Sequence, residues 1–287
     1  MDRRSFLRTA GVGAFSLTNF PYHLFAAGKK KLASDRVKLG PRKIELSRLA
    51  MGTGTSGGRG SSNQTRKLGY QGVAELMRAA YDQGVNFWDA ADQYGSHTYL
   101  REALKTVPRD KVVILTKTNA TTAEAVKADL DRYRKELGTD FIDVVLLHKM
   151  ETADWNVQLK PCMDVLSEAR EKGMIRSHGV SCHSLVALQT AAREPWVEIE
   201  FARLNPAQLH MDADPQTIIS VLKETRAAGK GVVGMKILGQ GDLRAKSAEA
   251  LQFALAQDCL DAFTIGSENR GEFEDLLKKI PDASVRG

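Results

Sequence analysis

Residues 87–95 read Phe87-Trp88-Asp89-Ala90-Ala91-Asp92-Gln93-Tyr94-Gly95. A short apolar run, 86–90, suits a buried strand and ends in a carboxylate, with a phenol five residues further on. Two later apolar runs close in the same way, 112–117 on Lys117 and 142–148 on His148. Further runs of strand character occupy 48–54, 175–181, 197–205, 231–236 and 262–266. Between the runs the spacing turns helical. Val73, Leu76, Met77 and Ala80 follow i, i+3, i+4, i+7, and Val126, Leu130, Tyr133 and Leu137 recur one face apart. Helices also fit near 97–105, 162–172, 183–193, 215–228, 247–256 and 271–279. Eight strand–helix units over roughly 240 residues predict an α/β fold, a single-domain (β/α)8 TIM barrel spanning 32–287. A doubly wound open sheet is the rival, and the count and length favour closure. Leu39-Gly40-Pro41 with 44–46 predicts a small hairpin capping the barrel's bottom.

Barrel geometry gives the polar strand ends a common destination. In this fold active sites form at the carboxyl ends of the strands, so Asp89, Lys117, His148 and Tyr94 are expected at one mouth. A free phenol is a poor acid at neutral pH. A neighbouring ammonium stabilises phenolate, and a carboxylate holds the ammonium in place. A histidine beside them can orient a carbonyl oxygen. Such a set suits protonation of a carbonyl while hydride arrives from elsewhere. No side chain supplies hydride, so a nicotinamide cofactor is implied.

Over residues 37–279 the chain resembles the aldo-keto reductases. The resemblance rests on Met51-Gly52-Thr53-Gly54, on the 88–95 stretch, on Leu115-Thr116-Lys117 and on Asp143-Val144-Val145-Leu146-Leu147-His148. It continues through Gly173-Met174-Ile175-Arg176-Ser177-His178-Gly179-Val180-Ser181 and Ala262-Phe263-Thr264-Ile265-Gly266. It implies that Tyr94 is the general acid, that Asp89 and Lys117 assist it, and that His148 positions the carbonyl. It further implies NADP(H) or NAD(H) held near Gly52, Ser181, Met235, Lys236, Gly266 and Ser267, and a small carbonyl or sugar-like substrate. Three positions depart from the family pattern. Cys182 stands where the family places an asparagine amide, and Met235 stands where a stacking tyrosine is common. Glu268 lies where a basic residue commonly grips the 2′-phosphate of NADP, so an acid there suits a ribose hydroxyl better; Arg270 could compensate, which leaves the choice of dinucleotide open. Relatives often carry a longer tail after the last helix, which implies an open pocket here. Two other functions remain: a cofactor-binding sensor or subunit on the same fold, and a barrel isomerase or aldolase using Lys117 as a Schiff base.

The chain of 287 residues has a net charge of +6, but the balance is uneven. Residues 1–31 hold six of the 41 Lys and Arg and one of the 35 acids, leaving the rest at +1. A near-neutral body removes the electrostatic case for nucleic acid. Arg3-Arg4-Ser5-Phe6-Leu7-Arg8 resembles the twin-arginine export motif of bacteria, followed by a mildly apolar stretch broken by Asn19, Pro21 and His23. That segment predicts a partner in the twin-arginine export machinery and a periplasmic or exported location, with an anchor if the signal stays uncleaved. Three scattered cysteines give no disulfide framework. His178, Cys182 and His183 look like metal ligands in a line of text. Strand alternation should turn His178 away from Ser181, so no metal is expected. Residues 55–70, rich in Gly and Ser with Arg59, Arg66 and Lys67, read as a loop over the mouth, either a lid for polar or anionic substrates or a solvated loop. Trp155 either walls a pocket or packs in the core.

Overall fold

A computed structural model describes residues 30–284. Eight parallel strands close into a barrel in the order β10-β3-β4-β5-β6-β7-β8-β9, with β9 returning to β10. They are β3 (Leu49–Gly52), β4 (Phe87–Asp89), β5 (Val113–Thr118), β6 (Ile142–Met150), β7 (Ile175–Cys182), β8 (Ile199–Arg203), β9 (Gly231–Met235) and β10 (Ala262–Gly266). Each of these strands is buried along most of its length, as expected of strands covered on both faces. The helices α1 (Asn63–Asp82), α2 (His97–Ala103), α3 (Ala123–Leu137), α4 (Trp155–Gln158), α5 (Lys160–Glu171), α6 (Leu185–Arg193), α7 (Pro215–Ala227), α8 (Ser247–Ala256) and α9 (Arg270–Ala283) alternate with the strands. This is the (β/α)8 architecture in one domain. The open-sheet alternative is excluded by the β9–β10 and β10–β3 pairings.

Residue parity sorts each strand into an outer and an inner face. Trp88, Val145 and Val180 pack outward in the layer shared with the helices, whereas Phe87, Leu115, Leu146 and Phe201 fill the barrel. The expected hairpin forms from β1 (Arg36–Leu39) and β2 (Ile44–Ser47), antiparallel, with its turn closed by the Lys43 N–H donating to the Gly40 carbonyl at 3.0 Å. Leu39, Ile44 and Leu46 are buried in the same cluster as Ala50, Phe87 and Val113 at the strand beginnings. The bottom of the barrel is therefore stoppered by apolar side chains, which leaves the carboxyl end as the face where polar groups can collect.

One element differs from its sequence reading. The segment expected as a loop over 55–70 is half helix: α1 begins at Asn63, nearly three turns before its apolar stripe starts at Val73. Helix entry is set by a capping box rather than by periodicity. The Ser62 hydroxyl accepts from the Thr65 N–H, and the Thr65 hydroxyl accepts from the Ser62 N–H. Gly69, at φ +63°, then kinks the helix between its polar opening and its apolar body. Arg66 and Lys67 are thus helical. Arg66 donates to the Ser61 hydroxyl and to Asn63, and Lys67 is paired with Glu268, so neither hangs over the mouth as a free lid cation.

Candidate active site at the barrel mouth

The inner parity that carries Phe87, Val113 and Val144 up the barrel delivers Asp89, Lys117 and His148 to its top. A period of two makes this unavoidable: the residue two beyond an inward apolar one must also point inward. All three are buried, Lys117 to 1% exposure. With Tyr94, from the loop after β4, they line one cavity of about 440 Å³. The structure therefore brings together the four residues singled out from the sequence.

The Lys117 ammonium pairs with Asp89 and donates to the Ala90 carbonyl at 2.8 Å. It also lies 5.3 Å from the centroid of the Tyr94 ring. The second oxygen of Asp89 accepts from the Thr264 hydroxyl at 2.8 Å, so β10 holds the carboxylate from the other side. Burial pulls the Lys117 pKa down, but Asp89 and Tyr94 outweigh it and the ammonium ends above its ordinary value. The Lys117 amine is thus engaged by Asp89 and the Ala90 carbonyl, an arrangement that argues against the Schiff-base reading.

Tyr94 behaves differently from the simple expectation that an ammonium lowers its pKa. Burial of the phenol raises it, Lys117 offsets only part of that, and Asp89 adds to the rise. The resting side chain is the protonated phenol, an acid with a proton to give. Its ring is clamped by backbone: a Cβ on Gly54 would stand 2.4 Å from the ring, and one on Gly57 would stand 2.5 Å from it. Only glycine permits that approach. The His148 ring stands edge-on to Tyr94, with centroids 6.2 Å apart. Burial first, and then Lys117, Lys149, His183 and Lys236, pull His148 down to about 2. It is therefore a neutral imidazole.

The positions expected to touch a cofactor divide into two groups. Gly52, Met235, Lys236 and Gly266 line the cavity; Ser181 and Ser267 do not. Ser181 is fully buried, on the inward parity opposite to Val180, and its hydroxyl accepts the Lys149 N–H at 3.0 Å. The Ser267 hydroxyl is enclosed without a partner among the described residues. Cys182 packs outward with the helix layer beside Glu200, a carboxyl that burial pushes up to about 7. His178 also faces outward, stacked on Trp196 at 4.3 Å, while His183 lines the mouth. His183 thus points to a different side from His178 and Cys182. Trp155 belongs to the core, donating its indole N–H to the Ala187 carbonyl at 3.2 Å.

Glu268 is 8% exposed and already occupied, held by Asn63 at 2.8 Å, by Lys67, and by Arg244 at 3.2 Å. Arg270, the possible compensating cation, is turned to Glu274 at 2.8 Å on its own helix. Sequence reading missed several neighbours. Thr264, Gln93, Lys149, Arg203 and Arg244 also reach the mouth; Gln93 beside Tyr94, Lys149 beside His148 and Thr264 within the 262–266 stretch carried a signal by adjacency, and Arg203 and Arg244 carried none.

The closed eight-stranded barrel thus collects a buried Asp–Lys pair, a tyrosine and a histidine at its carboxyl end. The family model described as "Aldo/keto reductase family" matches residues 48–279, and the chain belongs to that family. Among curated proteins it is 32% identical over 164 residues to aldo-keto reductase YhdN of Bacillus subtilis, covering 51% of this chain and 46% of that one. It is 25% identical over 169 residues to the NADH-specific methylglyoxal reductase of Escherichia coli, covering 51% of each. The chain spans about half the length of the curated relatives it matches. A crystal structure from Pseudomonas aeruginosa, provisionally assigned to the aldo-keto reductases, superposes with TM-score 0.72 at 21% identity, over 89% of this chain and 97% of that one. That likeness shows the shared fold.

The donor set at the mouth suits a nicotinamide dinucleotide. A diphosphate brings negative charge, and the wall offers Lys236, which has no acid partner among the described residues, together with Arg244. Burial, Arg203 and Lys149 lower Lys236 to about 8, as expected of a cation placed among cations with no anion beside it.

Proposed function

We propose that the protein reduces a carbonyl compound to an alcohol, or runs the reverse, with a nicotinamide dinucleotide. The observation that carries this is the Lys117 ammonium, which pairs with Asp89 and lies 5.3 Å from the Tyr94 ring in a cavity that also holds His148. When bound, the nicotinamide supplies or accepts the hydride. Tyr94 gives its phenolic proton to the carbonyl oxygen as that oxygen gains negative charge. Lys117 stabilises the phenolate left behind, and Asp89 keeps Lys117 charged and in place. His148, neutral, directs a hydrogen bond at the same oxygen. Solvent then restores the tyrosine proton. Lys236, with no acid partner among the described residues, would hold the diphosphate, with Arg244, shared with Glu268, beside it, and Gly52 and Gly266 line the same cavity at the strand ends.

The test is reduction of a panel of aldehydes and sugars with NADH and NADPH. Tyr94→Phe should lower kcat/KM by about a thousandfold, within the usual range for removing a general acid, while dinucleotide binding stays intact. Dinucleotide binding by the unaltered chain with no turnover on any member would favour the sensor reading instead.

The same proposal extends to cofactor choice and address. The buried carboxylate of Glu268 favours NAD(H), whose ribose carries a hydroxyl where NADP(H) carries a phosphate. The Arg3-Arg4-Ser5-Phe6-Leu7-Arg8 segment supports export by the twin-arginine route to the periplasm; it lies outside the described residues. Cell fractionation of the full chain, with and without Arg3→Lys and Arg4→Lys, tests the address.

A further inference from the structure

The mouth is unbalanced in charge. Five cationic side chains line it, Lys117, Lys149, Arg203, Lys236 and Arg244, against the single carboxylate of Asp89. Three of the five are already satisfied. Lys117 is paired with Asp89, Arg203 with Asp212, and Arg244 with Glu268. Lys149 and Lys236 have no acid and no side-chain acceptor among the described residues.

The backbone at both lysines is unusual. Lys149 has φ +64° and Lys236 φ +60°, the left-handed region that side chains with a Cβ rarely adopt. At Lys149 the β6–β7 register shifts between Leu147 and Met150, a bulge that re-aims the side chain of a strand. The Ser181 hydroxyl fastens the bulge through the Lys149 N–H. At Lys236, Asn205 donates its amide to the carbonyl at 3.2 Å. Strain of this kind persists where surrounding structure fixes it, and here it presents an uncompensated cation to the cavity.

The two lysines occupy different sectors. Lys236 leads into the 239–241 turn and toward Arg244, the side assigned above to the diphosphate. Lys149 sits on β6, diametrically opposite β10 in the eight-strand ring and one residue from His148. Beside it is His183, whose ring is 6.3 Å from that of His148 and makes no hydrogen bond among the described residues. Burial and the surrounding cations pull His183 down to about 3, so it offers a neutral ring N–H rather than a second charge.

We propose that Lys149, assisted by His183, binds an anionic group on the substrate, a carboxylate or a phosphate, next to the point where Tyr94 and His148 engage the carbonyl oxygen. The preferred substrates are then aldehydes or ketones that carry an acid, rather than neutral ones. This inference rests on the carbonyl-reductase reading for the placement of the oxygen. Its binding test does not depend on turnover.

Calorimetry on the full chain, without reduced cofactor, compares 4-oxobutanoate with its methyl ester, and glyceraldehyde 3-phosphate with glyceraldehyde. At low salt at least one anion should bind about tenfold more tightly than its neutral partner. The advantage should shrink in 1 M salt, where screening acts within about 3 Å. Which pair shows it separates carboxylate from phosphate. Lys149→Gln should abolish the preference, Lys149→Arg should retain most of it, and Lys236→Gln should leave the Lys149-dependent part in place. In turnover, Lys149→Gln should raise the ratio of KM for the anion to KM for its neutral partner about tenfold, with kcat moving much less. Equal affinity for charged and neutral partners in the unaltered chain would overturn the proposal. So would a preference that survives in folded Lys149→Gln. If the binding pattern holds while no aldehyde is reduced, the anion site stands and the oxidoreductase reading falls.

Discussion

Lys117 and Lys149 stand on adjacent strands of one barrel, at one mouth, and have opposite fates. Lys117 is buried, ordinary in backbone, paired with Asp89 and bonded to the Ala90 carbonyl. Lys149 is half-buried, strained in backbone, and faces the cavity with no counter-ion among the described residues. The first is a charge the protein has used up internally, to hold a proton donor in its working environment. The second is a charge left for something else to neutralise. The contrast shows why cations at a strand end are not equivalent: parity and partners decide whether a lysine tunes a neighbour or recognises a ligand.

The strongest way to break the comparison is to remove the internally used charge. Lys117→Met leaves the Asp89 carboxylate buried without its ion, which should cost about 3–5 kcal/mol of stability, the usual penalty for orphaning one partner of a buried pair. Chemical denaturation measures it. Asp89→Asn combined with Lys117→Met should recover much of that loss without recovering activity, because no buried charge is then left unpaired. If Lys117→Met is as stable as the unaltered chain, the Asp89–Lys117 pair is not the closed unit described here.

A smaller effect is expected on the far side of the mouth, at a carboxylate whose partners are all cations or amides. Glu268→Gln should shift the preference between NADPH and NADH toward NADPH by about tenfold, equivalent to about 1.4 kcal/mol. The ratio of kcat/KM values with the two dinucleotides reads this directly. An unchanged ratio would detach Glu268 from nucleotide choice and leave it as an anchor for Lys67 and Arg244.

The smallest effect is one of flatness. With His148 at about 2 and the Tyr94 phenol raised above its ordinary value, neither group changes protonation between about pH 4 and about pH 9. The sign follows from the roles. The acid must be protonated, so reduction should be lost only as pH rises through the raised phenol pKa. The imidazole, neutral above its depressed pKa, adds no acid limb in that window. A steep rise or fall of kcat/KM for a neutral aldehyde near pH 6.5 would show that His148 titrates in the ordinary range.

Much of the site was legible before any coordinates, for a specific reason. Apolar runs of strand length that end on Asp89, Lys117 and His148 encode both the barrel and the layer in which those groups sit, since alternation along a strand transmits the inward face from apolar residue to polar end. The hairpin under the barrel was readable in the same way, from Leu39-Gly40-Pro41 and the short apolar run that follows. The start of α1 was not. Its first turn carries Gln64, Thr65 and Arg66 in place of an apolar stripe, and what holds it is the Ser62–Thr65 box and the Gln64 amide, which donates to the Thr55 hydroxyl at 2.8 Å. Nor could a single sequence show that the Ser181 hydroxyl would accept the Lys149 N–H, or that Cys182 would sit beside Glu200.

The sequence by itself determined the fold, the stoppered end, the open end, and the convergence of Asp89, Lys117 and His148 at the mouth, because local periodicity fixes which way each strand residue points. Tertiary structure alone decided which charges at the mouth are neutralised and which are not. Counter-ions such as Asp212 for Arg203 and Glu268 for Arg244 come from outside the strand or turn that carries each arginine, and burial, which sets the protonation of Tyr94 and His148, exists only once the barrel has closed.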